Sequence, residues 1–155
     1  MPQYSLGLYE KAMPDGLSFR EMLELTKRTG FDRLELSIDE SDMRLARLDW
    51  TSDQVRALKC MMDDSSILIR TMCLSGHRKY PLGSHDPAIR ERSREIMRKA
   101  VGLAAELGIA IIQLAGYDVY FETGDEETRA WFAQNLAIST EMAAKAGVLL
   151  GFETM

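Results

Sequence analysis

The strongest constraint on the fold is a regular alternation of strand-like apolar runs and helical patterns along the chain. Three helical stretches end at a glycine, and a strand-like run begins one or two residues after Gly30, Gly108 and Gly147. Strict alternation of this kind predicts a parallel sheet joined by right-handed crossovers. The predicted strands begin about 36 residues apart, so eight such units would need about 290 residues, which is typical of a (β/α)8 barrel.

The predicted strands cover residues 5–9, 33–38, 67–74, 109–115 and 148–152. Helix starts between them carry capping signals. Ser18 is followed three residues later by a glutamate, Thr51 by a glutamine, and Asp86 directly precedes a proline. Side chains of these types satisfy the free N–H groups of a first helical turn, so a helix is predicted after each.

Two folds fit this pattern. A doubly wound sheet of five strands would be complete at this length, whereas a (β/α) TIM barrel would comprise only its first four βα units plus strand 5. Residues 9–16, after the first strand, contain neither GxGxxG nor a P-loop, so the glycine cradle of a nucleotide site is missing. Period and composition leave the choice of fold open.

Charge and composition exclude several functions. The 155 residues carry a net charge of −5 and no run of more than two basic residues, so a nucleic-acid partner is not expected. No secretion signal and no apolar run of about 20 residues is visible, so a membrane is not expected either. Cys60 and Cys73 belong to no CxxC motif and are interpreted as free, largely buried thiols of a cytoplasmic protein.

Polar side chains gather where the predicted strands end, which is where parallel α/β folds place their sites. Glu153 directly follows a buried strand, in the position of a metal ligand or a base. Gln113 lies inside an apolar strand and needs a polar partner. Arg78 is either solvated or a bidentate phosphate ligand, His77 either binds backbone or serves the site, and Glu10 either caps a turn or serves the site.

Several segments are similar to one known family. They are residues 6–12 (LGLYEKA), 35–40 (ELSIDE), 47–50 (RLDW), 72–84 (MCLSGHRKYPLGS), 96–100 (IMRKA) and 112–120 (IQLAGYDVY). Together they resemble the L-ribulose-5-phosphate 3-epimerases, also called L-xylulose-5-phosphate 3-epimerases, of L-ascorbate and pentose catabolism. The likeness spans nearly the whole chain, and the two longest segments are specific.

The resemblance implies a xylose-isomerase-like TIM barrel that is usually a homodimer and acts on a sugar phosphate. Residues 1–155 would be the N-terminal portion of that single domain. The family binds one divalent metal ion, Mn²⁺, Zn²⁺ or Mg²⁺, through a glutamate, an aspartate, a histidine and a second glutamate on strands 5 to 8. Only the first ligand has a counterpart in this sequence, Glu153.

The resemblance also implies a reaction. The enzyme would remove the proton at C3 through a metal-stabilised enediolate and return it on the opposite face. Glu153 would be both ligand and base, and Glu10, His77, Arg78 and Gln113 would line the substrate pocket. Since the second carboxylate and three metal ligands have no counterpart, the chain alone is expected to be inactive.

Two alternatives stay open at this point. One is a metal-dependent DNA-repair endonuclease of the same superfamily, which two histidines and an acidic net charge disfavour. The other is a stand-alone half-barrel that binds or assembles, because the open edges of its first and fifth strands would invite self-association.

Overall fold

The computed structural model describes residues 4–154, and the described part forms one five-stranded parallel sheet. The strands are β1 (Gly7–Tyr9), β2 (Arg33–Ile38), β3 (Leu68–Leu74), β4 (Ile111–Ala115) and β5 (Leu149–Glu153). The helices are α1 (Phe19–Arg28), α2 (Asp42–Leu45), α3 (Ser52–Ser65), α4 (Pro87–Leu107) and α5 (Glu126–Lys145). Short 3₁₀ turns follow β1, α2 and β3 at Glu10–Ala12, Ala46–Asp49 and Ser75–Arg78.

The order of the strands decides between the two predicted folds. Each strand pairs with its sequence neighbour, in the order β1-β2-β3-β4-β5. A doubly wound sheet reverses direction at a switch point and therefore cannot have this order, whereas successive strands of a TIM barrel always do. The sheet is an arc of a (β/α) barrel, and the TIM-barrel prediction is confirmed.

The two faces of the sheet have different surroundings, as a barrel wall requires. Leu36, Met72 and Ile112 lie in register on the face that the helices cover, and all three are fully buried. On the opposite face, here called the concave face, Cys73 and Gln113 lie in register and are only partly buried. In a doubly wound sheet helices would cover both faces, so the open concave face also favours the barrel.

The capping signals in the sequence are realised in the structure. Ser18 and Thr51 each form a reciprocal capping box. Asp86, which precedes Pro87, caps α4 by accepting a hydrogen bond from Ala88 N. Gly108 ends α4 in the left-handed region, with φ of 75°, which glycine adopts without a steric penalty. Among residues 4–154, no helix is both long and apolar enough to cross a membrane.

The prediction of two largely buried cysteines is wrong for Cys60. This thiol is exposed, while Cys73 is partly buried on the concave face. The core-facing side of α3 carries Val55, Leu58 and Met62. Residue 60 lies on the opposite, outer side of the helix, so its thiol is exposed.

Candidate functional site

A cavity of about 280 Å³ opens at the carboxyl ends of the strands, over the concave face. Its walls combine hydroxyl, thiol, amide, carboxylate and cationic groups with aromatic rings. The lining residues are Tyr9, Lys11, Cys73, Leu74, Ser75, Arg78, Gln113, Ala115, Tyr117, Tyr120 and Glu153. Three of the five residues predicted for the site, Arg78, Gln113 and Glu153, are therefore brought together.

Glu153 and Gln113 meet across the β4–β5 pair. The parallel register sets Ala115 opposite Glu153 and Gln113 opposite Gly151. The Gln113 Nε2 atom donates a hydrogen bond of 2.5 Å to Glu153 Oε2. No hydrogen bond from residues 4–154 reaches the other carboxylate oxygen, Oε1. This oxygen is available to a cation or to a proton.

Arg78 projects from the 3₁₀ turn after β3. Its Nη1 donates to Glu40 Oε1 at 3.1 Å, and its guanidinium lies 5.1 Å from the centre of the Tyr120 ring. Burial opposes the charge, but Glu40 raises the pKa of Arg78 above its usual value. The side chain is a permanent cation at the wall of the cavity.

Several buried polar atoms around Arg78 lack partners within residues 4–154. They are Arg78 Nε, Ser75 Oγ, Tyr117 Oη and Glu40 Oε2. Burial raises the pKa of Tyr117, so its hydroxyl stays protonated and can donate. Unsatisfied buried polar groups are costly in native proteins. Three of these four groups can donate a hydrogen bond, which suits an anionic or strongly polar ligand.

Tyr9 and Cys73 form the floor of the cavity and stay neutral. The Tyr9 hydroxyl lies 3.2 Å from Ser37 Oγ, and burial raises the pKa of Tyr9 to about 12. Burial also raises the pKa of the Cys73 thiol. A protonated thiol is a poor nucleophile, so the site offers no activated cysteine.

Glu10, which was predicted to line the pocket, does not reach the cavity. Its carboxylate accepts hydrogen bonds from Arg47 Nη1 at 2.7 Å, Arg44 Nε at 3.2 Å and Ser37 N at 2.8 Å. Burial favours protonation, but these donors, with Arg47 foremost, lower the pKa of Glu10 below its usual value. Tyr9 ends β1 and lines the cavity, whereas Glu10 begins the 3₁₀ turn, which brings its carboxylate to Arg44 and Arg47 instead.

His77 is likewise absent from the cavity. The ring is buried beneath α4, and its Nε2 donates to the Ser93 carbonyl oxygen at 3.3 Å. Burial lowers the pKa of His77 to about 4, so the ring is neutral at physiological pH. Of the two roles open from sequence, the geometry agrees with the backbone-bound one.

Lys11, Tyr9, Ser75 and Tyr117 line the cavity although the sequence did not single them out. The Lys11 ammonium donates to Asp39 Oδ2 at 2.9 Å. Burial opposes ionisation of Asp39, but hydrogen bonds from Ser41 and Lys11 lower its pKa to about 2. The available signal was the alternation of β1, which puts Tyr9 on the concave face.

The described residues fit one ligand of a divalent cation. The Glu153 carboxylate is an oxygen ligand of the kind that Mg²⁺, Mn²⁺ and Zn²⁺ accept. Within residues 4–154, no three histidine, cysteine, aspartate or glutamate side chains gather into a group able to hold a metal ion. Any further ligands would have to come from outside residues 4–154.

Comparison with known proteins identifies the family. The family model described as "Xylose isomerase-like TIM barrel" matches residues 23–155. The chain belongs to the xylose isomerase-like TIM barrel family.

Curated relatives extend the likeness to the whole chain. The L-ribulose-5-phosphate 3-epimerase UlaE of Salmonella typhimurium is 50% identical over 153 residues, which are 99% of this chain and 54% of that protein. SgbU of Escherichia coli K12, whose name gives the same activity provisionally, is 52% identical over 155 residues, all of this chain and again 54% of the relative. The chain spans about half the length of the curated relatives it matches.

Solved structures show the same fold. A D-psicose 3-epimerase crystallised in the presence of D-fructose superposes with a TM-score of 0.77 at 17% identity, covering 95% of this chain and 51% of the other. An L-ribulose 3-epimerase gives 0.71 at 21% identity, covering 96% and 48%. At this identity the likeness concerns the fold, and both neighbours extend well beyond the matched half.

Proposed function

We propose that this chain forms the first half of the barrel of a metal-dependent 3-epimerase that interconverts L-ribulose 5-phosphate and L-xylulose 5-phosphate. The observation that carries the proposal is the Glu153 carboxylate at the end of β5, with one oxygen free over the cavity. About 50% identity along the chain to relatives named for this activity supports it.

The chemistry at C3 requires a carboxylate close to an acidic C–H bond. Glu153 Oε1 takes the proton from C3 of the ketose phosphate, and negative charge moves onto the neighbouring carbonyl oxygen. A divalent cation, when bound with Glu153 among its ligands, supplies Lewis-acid stabilisation of that charge. A second carboxylate on the opposite side of C3 returns a proton, and in this proposal it lies beyond the described strands.

Arg78 is the residue we propose for the phosphate end of the substrate. Its charge is permanent and its Nε has no partner among residues 4–154, and Ser75 and Tyr117, which line the same cavity, have equally unpaired hydroxyls. A guanidinium with adjacent hydroxyl donors matches the oxygens of a phosphate dianion. Glu10 and His77 are omitted, because neither reaches the cavity.

The setting of the enzyme is also a proposal. We place the reaction in the cytoplasm, within pentose or L-ascorbate catabolism, and expect a homodimer for the completed enzyme. The completed enzyme is defined as this chain continued to the length of its relatives by its own reading frame or, failing that, by the unmatched part of the Salmonella relative.

The test is turnover of L-ribulose 5-phosphate with Mn²⁺ or Zn²⁺, followed by NMR of the sugar. The completed enzyme should form L-xylulose 5-phosphate, and the Glu153→Gln variant should lose at least about 10³-fold in kcat. The 155-residue chain alone should show no turnover. A folded, monodisperse completed enzyme without epimerase activity would contradict the proposal, and so would turnover by the isolated chain.

A further inference from the structure

We infer that Gln113 is a positioning residue for Glu153. Its side-chain amide holds one oxygen of the carboxylate and leaves the other oxygen for chemistry. The inference rests on the proposed function for its catalytic consequence, but its geometric basis does not. The sequence analysis predicted that Gln113 binds substrate. We assign it to Glu153 instead, because its Nε2 already donates a hydrogen bond to the Glu153 carboxylate.

The local backbone is shaped to allow this contact. Gln113 lies opposite Gly151, two residues before Glu153 on the same face of β5. Because residue 151 has no side chain, the amide of Gln113 can extend along β5 as far as the carboxylate. A Cβ at position 151 would lie 3.3 Å from Ile111 Cγ2, a tight contact, and 4.0 Å from Gln113 Cα, an ordinary one.

The contact divides the two oxygens of the carboxylate between two tasks. Oε2 accepts the amide N–H, whereas Oε1 has no hydrogen-bond donor within residues 4–154. An amide suits this task because it is neutral and its donor does not titrate. Partners of this type set the orientation of a metal-binding or catalytic side chain, and their loss typically costs about 10–100-fold in metal affinity or activity.

The geometric part can be tested on the 155-residue chain by NMR of the Gln113 side-chain amide. In labelled wild-type protein, the Gln113 amide proton that Glu153 accepts should lie downfield, so that the two amide protons are separated more widely than in a free glutamine. The Glu153→Ala variant should reduce the separation to that of a free glutamine, whereas Glu141→Ala, at an exposed position of α5, should leave it unchanged. An amide signal unchanged by Glu153→Ala would overturn the inference, whatever the enzyme does.

The functional part needs the completed enzyme and the variant Gln113→Met, which keeps the length but removes the donor. We expect kcat to fall about 10–100-fold and Mn²⁺ affinity, measured by EPR, to fall about 10-fold, with KM changed less than about 3-fold. Gln134→Met, the same exchange at an exposed site on α5, should change none of these.

Two results separate this inference from the proposed function. A raised KM with unchanged kcat and Mn²⁺ affinity would overturn it, because Gln113 would then contact substrate instead of orienting Glu153. Absence of epimerase activity in the wild-type completed enzyme would contradict the proposed function, while a shifted Gln113 amide signal in Glu153→Ala would still support the positioning contact.

Discussion

At the scale of single residues, the carboxylate of Glu10 forms a buried ion-pair cluster behind the cavity wall. Arg47 donates both to Glu10 and to the Ser37 carbonyl oxygen, and the side chains of Glu10 and Arg47 are 2% and 9% exposed. Removing one partner of such a pair leaves the other charge buried and uncompensated, which costs more than the pair itself contributes. The cluster ties the turn after β1 to the segment after β2.

Glu10→Gln should therefore lower the free energy of unfolding by about 3 kcal/mol. The expected loss arises from the unpaired positive charge on Arg47, since the glutamine can still accept one hydrogen bond. Urea denaturation followed by circular dichroism measures it. Glu24→Gln, at an exposed position of α1, should change stability by less than about 0.5 kcal/mol. Equal stability of both variants would contradict the role assigned to the cluster.

His77 makes stability depend on pH. Its pKa is lowered by burial from 6.5 to about 4, so the unfolded chain takes up the proton first as pH falls. Native stability is therefore complete above about pH 7 and declines as pH falls from 6.5 towards 4. Between pH 7 and pH 5, the lowered pKa of His77 should reduce the free energy of unfolding by about 2 kcal/mol.

The corresponding measurement compares unfolding free energies at pH 7 and pH 5 in His77→Gln and His85→Gln. His77→Gln should lack most of the difference of about 2 kcal/mol that is attributed to His77. His85 lies between Glu122 and Asp125, which raise its pKa, so its stabilising contribution is present at low pH and lost as pH rises. If His77→Gln loses as much unfolding free energy between pH 7 and pH 5 as the wild type does, His77 does not have this role.

The sequence supports some of these assignments and not others. Glu153 and Gln113 could be placed because each belongs to a five-residue, mainly apolar strand whose direction and face are defined. Glu10 follows a strand of only three residues, so the face it takes depends on a turn the pattern does not encode. His77 lies in a 3₁₀ turn, where neither strand nor helix periodicity applies.

At the scale of elements, the end of β5 is held against β4 by an unusually close approach at Gly116. A Cβ built there would lie 2.6 Å from the Glu153 carbonyl oxygen and 2.8 Å from the Phe152 ring. Real Cβ atoms do not come this close to backbone, so any larger residue must displace the strand. The position of Glu153 thus depends on a glycine that does not itself line the cavity.

Gly116→Ala should destabilise the protein by about 1–3 kcal/mol through this overlap. The same exchange at Gly102, exposed within α4, should stabilise by about 0.5–1 kcal/mol, because the added Cβ would meet no atom within 4 Å outside the adjacent helix backbone among the described residues. Thermal unfolding of the two variants gives the signs directly. A stabilising or neutral effect at position 116 would show that β5 does not pack as described.

Helices with capping residues were predictable because caps and periodicity are local signals. The four-residue helix α2 was not, since it is too short for a hydrophobic period and rests on a single cap, Ser41. The capping box of Asp125 and Thr128 at the start of α5 uses a threonine where glutamate or glutamine is usual, and it was missed for that reason.

At the scale of the whole molecule, strand order was the property that period and composition could not decide, and only the family resemblance favoured the barrel order. Barrels and doubly wound sheets share the same βα period, and they differ only in which strands pair across long separations. The pairs β1–β2 through β4–β5 resolve the choice, and they leave the concave face open over the cavity.

The open arc should make the isolated chain self-associate. In the described sheet β5 pairs only with β4, and Leu149 on it is 67% exposed. Unpaired edges of this kind pair with other chains, and an edge lysine opposes this. Sedimentation velocity should show concentration-dependent association that Leu149→Lys reduces and Ile138→Lys on α5 does not. A monodisperse wild-type monomer at all concentrations would contradict this expectation.

The most direct test of the central claim is the origin of the hydrogen at C3 in the product. The completed enzyme is given L-ribulose 5-phosphate in D₂O with Mn²⁺, and deuterium at C3 of the L-xylulose 5-phosphate is measured by NMR. Proton abstraction by Glu153 predicts product labelled at C3 and loss of both turnover and labelling in Glu153→Gln. Product that retains its original hydrogen at C3, or a Glu153→Gln variant as fast as the wild type, would contradict the account.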